Sequence, residues 1–176
     1  MKLKVLIKRI NKGLDFPVTK GNGDWIDLRA SETHKFKAPQ SGTLKEVNGE
    51  KVRDVRFDTY LMPLGVAIKL PDGFEAVVNA RSSLPFGFGV QVANSQGVID
   101  NSYCSNKDEW KVPLIAIRNT TIKQNERICQ FKIQLSQKAT VWQKIKWLFS
   151  SGIELIEVES LPDSEERGGF GSTGKV

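Results

Sequence analysis

Short apolar runs recur along this chain with Gly, Pro, Asn or Asp between them, and that rhythm limits the fold more than any other feature. Gly65-Val66-Ala67-Ile68-Lys69-Leu70 is followed by Pro71-Asp72-Gly73, then by Phe74 to Val78. Gly89-Val90-Gln91-Val92, Lys111 to Ile117 and Arg127 to Ile133 continue the series. Two segments alternate strictly. Leu3, Val5 and Ile7 are set against Lys2, Lys4 and Lys8, and Ile153 to Val158 repeats the pattern. Period two predicts half-buried strands, the first with a basic outer face. Many short strands with turn residues between them predict an all-β barrel or sandwich. Strand–helix alternation at βαβ spacing is missing, which argues against a Rossmann or P-loop fold. No internal repeat is present.

One stretch departs from this rhythm. In Val141 to Phe149, Val141, Trp142, Ile145, Leu148 and Phe149 share one helical face, opposite Gln143, Lys144 and Lys146, with Trp147 as the outlier. A short amphipathic helix packed on the barrel by that apolar face is expected. Its tryptophans and lysines also suit a protein partner, whereas nine residues are few for a membrane surface.

A length of 176 residues allows one domain, at most two small ones. Apolar residues make up 39% and charged residues 26%, a balance that excludes collagen-like, disulfide-scaffold and wholly disordered chains. One histidine and two cysteines argue against a zinc site built from protein ligands, and a histidine-based triad would have only His34 to use. Cys104 and Cys129 stand outside any CxxC pair and read as free thiols of a reducing compartment. The N-terminus has no apolar run suited to a signal peptide, and no stretch approaches the ~20 apolar residues of a membrane span. A cytoplasmic protein is the expectation. The net charge of +6 suits nucleic acid, nucleotides or neither.

Chemistry concentrates in three segments. Ala80 to Gly89 offers the Arg81 guanidinium, the Ser82 and Ser83 hydroxyls and a glycine-rich turn, a set suited to anionic oxygens. In ordinary turns the same residues serve the backbone. Asn94 to Gly97 reads as a tight turn between strands whose amides could meet the edge of a planar base. Asp100 follows an apolar pair and is a candidate base toward water, with Tyr103 three residues on. The same pattern also describes a hairpin ending in a solvated Asp. Finally, the tail holds six acidic residues between Glu154 and Glu166, then four glycines from Arg167 to Val176. Composition alone describes the latter as a disordered end.

Five segments, in order, resemble the motifs of the trimeric deoxyuridine triphosphatases (dUTPases), phage-type and Gram-positive bacterial members included. They are Asp27-Leu28-Arg29-Ala30, Arg81-Ser82-Ser83-Leu84, Gly97-Val98-Ile99-Asp100 with Tyr103, Arg127-Ile128-Cys129-Gln130-Phe131, and Gly169-Phe170-Gly171-Ser172-Thr173-Gly174. The resemblance spans nearly the whole chain. It implies a jelly-roll-like β-barrel subunit, residues 1–166, in a homotrimer whose three sites each draw on all three chains. Residues 167–176 would form an arm that closes over a neighbouring site. The implied reaction is dUTP plus water giving dUMP and pyrophosphate, with Mg2+ on the phosphates. It would keep uracil out of DNA and supply dUMP.

Carried over by position, Asp100 would activate the water that attacks the α-phosphorus. Arg81, Ser82, Ser83 and Gln130 would hold phosphates. Asn94 and the Gly97–Val98 backbone would read uracil, and Tyr103 would pack under the deoxyribose and exclude a 2′-hydroxyl. Phe170 would stack on the base, and Arg167, Gly171, Ser172 and Thr173 would meet the β- and γ-phosphates. Asp27 would act through metal-bound water or by organising the site, and Arg127 as a ligand or an ion-pair partner.

The match departs in three places. Cys104 to Trp110 is about three residues longer than the common loop after Tyr103. Arg167-Gly168-Gly169-Phe170 is two residues shorter than the usual fifth motif. The segments near 42–58 and 141–152 are longer than in compact members. Three rivals remain: a dCTP deaminase, which shares the Arg-Ser-Ser-Leu start; a dUTPase with a regulatory protein partner at 141–151; and a nucleic-acid module, for which no interleaved aromatic and basic stripe is seen.

Overall fold

The structure, a computed structural model, describes residues 1–19, 21 and 23–162. Fourteen strands and one α-helix are found among them. In chain order the strands are β1 (Leu3–Arg9), β2 (Ile26–Arg29), β3 (His34–Phe36), β4 (Gln40–Val47), β5 (Glu50–Arg56), β6 (Thr59–Pro63) and β7 (Val66–Lys69). They continue as β8 (Phe74–Ala80), β9 (Val90–Val92), β10 (Gln96–Ile99), β11 (Lys111–Ala116), β12 (Thr120–Ile122), β13 (Arg127–Leu135) and β14 (Ile153–Glu157). The helix α1 is Val141–Leu148.

The expected all-β architecture is present. A sheet of order β10-β8-β13-β2 carries the motifs, and sheets β14-β1-β7 and β6-β11-β9 complete most of the barrel wall. Alternation in β1 buries Leu3, Val5 and Ile7 and leaves Lys4 in solvent. These side chains join Ile26, Leu28, Ile68, Phe74 and Phe131 in one core. Trp110 meets Phe131 edge-on there, with ring centroids 5.2 Å apart. β14 runs parallel to β1, so the last strand lies beside the first.

Two points differ from expectation. The tight turn between strands is present at Ala93–Ser95, but it does not close a hairpin. β9 pairs with β11 and β10 with β8, so the turn carries the chain from one sheet to another. Ser95 makes that corner with φ of 61°, in the left-handed region.

The helix forms where the periodicity placed it, but it turns the other way. Trp147, the outlier, packs edge-on against Phe74 with centroids 5.2 Å apart. Gln143, one turn earlier, lies against Gly73. Val141, Trp142, Leu148 and Phe149 face solvent, at 69 to 79% exposure. The short helix is started by a capping box between Thr140 and Gln143.

The long 42–58 segment is a ribbon of β4 and β5, turning at Asn48 and Gly49 with φ of 52° and 81°. Positive φ at both positions is what a two-residue hairpin turn demands.

Candidate functional site

The motif-bearing sheet has one row in strict register: Gln96 on β10, Asn79 on β8, Gln130 on β13 and Asp27 on β2. Directly opposed residues project to the same face of a sheet. The next row, Gly97, Val78, Phe131 and Ile26, belongs to the core face. The first row is therefore a polar line on the outer face, and Asn79 in it was not singled out from the sequence. Alternation within β8 was the signal that could have found it.

Asp27 is 6% exposed and is held by two arginines. Arg81 Nε lies 2.9 Å from one carboxylate oxygen and Arg127 Nη1 2.8 Å from the other. A bulge between Arg127 and Cys129 re-aims the start of β13 and lets Arg127 reach across to β2. The first, second and fourth motifs thus meet at one carboxylate. Arg81 N–H donates to the Ile128 carbonyl, and Leu84 N–H donates back to the Arg81 carbonyl. Ser82 and Ser83 stand between these bonds, both exposed. The Ser83 hydroxyl makes no capping bond to the π turn Leu84–Phe88. Arg118, which no sequence pattern marks, pins that turn by donating to the Phe86 and Gly87 carbonyls at 3.0 and 2.8 Å.

Asp100 closes β10 at its other end, exposed, on the rim of a cleft shared with Glu75, Ser102 and Lys138. Asn101 fixes the backbone here by donating to the Leu70 and Pro71 carbonyls at 2.7 and 2.9 Å. Tyr103 N–H donates to the Asp100 carbonyl, which turns the tyrosine back beside it. The Tyr103 hydroxyl donates to the Glu109 carbonyl at 3.1 Å. Desolvation, with the Asp108 and Glu109 charges, holds its phenol above the usual tyrosine range. Lys138 is a second residue that the sequence reading missed, since nothing in the linker before α1 marks it.

Between the two ends lie the residues proposed to read a base. Asn94 is exposed in the turn, and a methyl group at Gly97 would stand 3.9 Å from its Nδ2 and 3.5 Å from the Val78 Cβ. β10 is an edge strand of its sheet, so one side of its backbone is open for pairing.

One chain does not gather all these groups. A strand advances about 3.4 Å per residue, so Asp100, four positions past Gln96 and just beyond β10, lies roughly 14 Å along the strand direction from the Gln130–Asp27 row. The strands carrying Gln130 and Asp27 add at least another two inter-strand steps of about 4.8 Å. Arg81 lies beyond Ala80, farther still from Asp100 along β8. Arg167, Phe170, Gly171, Ser172 and Thr173 lie outside the described residues. Cys104 and Cys129 are buried free thiols, and His34 stacks on Tyr60 with ring centroids 3.6 Å apart.

No family model matches the chain. Curated relatives do. A prophage-derived deoxyuridine 5'-triphosphate nucleotidohydrolase of Bacillus subtilis (YosS) is 41% identical over 152 residues, 86% of this chain and 84% of the relative. The chain belongs to the dUTPase family. The Fusobacterium nucleatum dUTPase is 34% identical over 178 residues, covering 98% of this chain and 99% of its own.

Solved dUTPases share the fold. That of Staphylococcus bacteriophage 80alpha superposes with a TM-score of 0.58 over 78% of this chain and 93% of its own, at 14% identity. That of Streptococcus mutans gives 0.56 over 73% and 94%, at 19% identity. The dUTPase of phage phi11 of S. aureus, in a mutant form that coordinates a structural Mg(II) ion, gives 0.57 over 78% and 94%, at 11% identity. The 80alpha enzyme is described as controlling transfer of virulence genes by a G protein-like mechanism.

Proposed function

We propose that the chain hydrolyses dUTP to dUMP and pyrophosphate, in sites built between subunits of a homotrimer. The observation that carries this reading is the division of the motifs into two clusters too far apart to serve one phosphorus, on a chain of the dUTPase family. Arg81, Ser82, Ser83 and Gln130 of one subunit would hold the phosphates. Asp100 and Tyr103 of another would supply the base and the sugar platform. The arm, with Arg167, Phe170, Gly171, Ser172 and Thr173, would come from the third.

Asp27 organises the phosphate half. Its carboxylate holds two guanidinium groups side by side, and their remaining N–H donors can face an anion. Asp100 accepts the proton that the attacking water must lose as its bond to the α-phosphorus forms. Tyr103, anchored through its hydroxyl, presents a fixed ring edge that leaves no space for a 2′-hydroxyl. Asn94 and the open edge of β10 match the donor and acceptor pattern of uracil, and Phe170 covers it.

Among the described residues no cluster of three or more His, Cys, Asp or Glu is placed to hold a metal. Mg2+ would be carried mainly by triphosphate oxygens and water, and the exposed Asp100 could hold its water, whereas both oxygens of the buried Asp27 are already taken by Arg81 and Arg127. Such a cation would supply charge to offset the phosphate oxygens. No nucleic acid is needed for this chemistry, and no described helix is long and apolar enough to cross a membrane.

Pyrophosphate release from dUTP, dCTP, dTTP and UTP, with Mg2+ and with EDTA, tests the proposal. Release from dUTP alone, dependent on Mg2+, is expected. Ammonia release from dCTP would instead establish the deaminase.

A second role has its own observation, the outward apolar face of α1. We propose that it receives a regulatory protein partner. A chain lacking Val141–Ser151 that keeps full dUTP turnover would support a role separate from catalysis, and an unfolded product would show the helix to be structural.

A further inference from the structure

The loop after Tyr103 holds two things at once. Towards the site, its Glu109 carbonyl accepts the Tyr103 hydroxyl. Away from the site, the Asn106 side chain closes a pair of hydrogen bonds on the main chain of Leu161. Its amide donates to the Leu161 carbonyl at 3.0 Å, and its oxygen accepts from the Leu161 N–H at 2.9 Å. The same oxygen accepts from the Ser160 hydroxyl at 3.1 Å.

Further hydrogen bonds brace the loop. Buried Asp108 accepts from Ser105 N–H at 2.8 Å, and the Glu109 carboxylate accepts from Gly65 N–H at 2.9 Å. Lys8 donates to the Asn106 carbonyl from β1 at 3.3 Å. Leu161 is 2% exposed, so without Asn106 its N–H would lose its acceptor in a place water reaches poorly, while its carbonyl would keep the Ser160 hydroxyl at 3.2 Å.

The position of this clamp matters more than its strength. Arg167 stands six positions beyond Leu161 and Phe170 nine. Extended chain covers at most about 3.5 Å per residue, so Phe170 reaches no farther than about 32 Å from the clamp. With so short a tether, the starting point decides which site the end can enter and at what effective concentration.

We infer that Asn106 is a positioning residue, which fixes the main chain at Leu161, ahead of the proposed arm, and holds it in constant relation to Tyr103. The inference rests on the proposed role of the arm at a dUTP site. The longer loop between Tyr103 and Trp110 then has a purpose: it builds the clamp.

The test is steady-state dUTP hydrolysis by Asn106→Ala and Asn106→Asp, each in the full chain and in a chain ending at Glu166. Thermal melting of every variant and tryptic cleavage at Arg167, with and without a non-hydrolysable dUTP analogue, accompany the kinetics. In the full chain, Asn106→Ala should raise KM about three- to tenfold, change kcat less than about twofold, and weaken analogue protection of Arg167. Asn106→Asp keeps the acceptor and loses the donor, and should fall between. In the shortened chain Asn106→Ala should leave calorimetric binding of the analogue, and whatever turnover remains, unchanged. Equal effects in both backgrounds would reduce Asn106 to an ordinary structural residue and overturn the inference. So would an unchanged KM in the full chain while truncation still abolishes activity. If truncation alone leaves turnover intact, the proposed role of the arm fails first, and the inference falls with it.

Discussion

Single residues divide here into those that do chemistry and those that hold them. Asp100→Asn keeps size and hydrogen bonding but cannot take a proton from water. Calorimetric binding of a dUTP analogue should persist while pyrophosphate release falls by orders of magnitude; a near-normal rate would remove Asp100 from the role of base. Gly97 makes a finer test. An added methyl group meets Val78 at an ordinary 3.5 Å, so Gly97→Ala should melt near wild type. It would also fill space beside the Asn94 amide, and KM for dUTP should rise about tenfold or more, the cost of crowding a close-packed pocket. Burial pushes the Cys129 thiol well above its usual range, with the Asp27 charge adding to the effect, and Tyr103 is shifted the same way. Both groups keep their protons when folded and lose them more readily when unfolded. Stability should therefore hold up to the ordinary thiol pKa of about 8.5 and fall as pH rises beyond it. Melting curves from pH 7 to 10 read this directly, and a flat profile would contradict it. The sequence singled out Asp27 and Arg127, but their shared ion pair spans 100 positions of chain and needed β2 and β13 to be neighbours.

At the scale of elements, α1 shows how a pattern can be right about a helix and wrong about its face. The hydrophobic stripe located the helix, and the barrel chose its orientation by offering Phe74 and Gly73 as the contact surface. Trp147→Ala should cost about 1–3 kcal/mol, less than a fully buried tryptophan because the ring is half-buried. Trp142→Ala should stay within about 0.5 kcal/mol. Denaturant midpoints compare the two, and equal losses would mean that the outward face is covered in the assembly. The β4–β5 ribbon was legible in principle, through Asn48-Gly49 between alternating residues. The turn at Ser95 was not, because a local signal for a tight turn does not say which strands its arms will pair with.

For the whole molecule, the separation of Asp100 from the Arg81–Gln130 cluster makes subunit mixing the decisive experiment. Asp100→Asn and Arg81→Ala chains should each be inactive alone. Unfolded and refolded together in equal amounts, they should recover roughly a quarter of wild-type activity, because half of the sites draw an intact Asp100 and half of those an intact Arg81. No recovery would place both residues in the same chain's site. Local order explains what the sequence determined by itself. Period-two alternation and turn residues dictate strands, and motifs of adjacent residues keep their order in any fold, so the all-β class and the family resemblance were already readable. Tertiary structure decided what depends on distant segments meeting. It placed two arginines on Asp27, set Asn79 and Lys138 among the candidate groups, turned α1 outward, and clamped Leu161 to Asn106. Each of these is a contact between residues far apart in the chain, created by strand order and register rather than by any local preference.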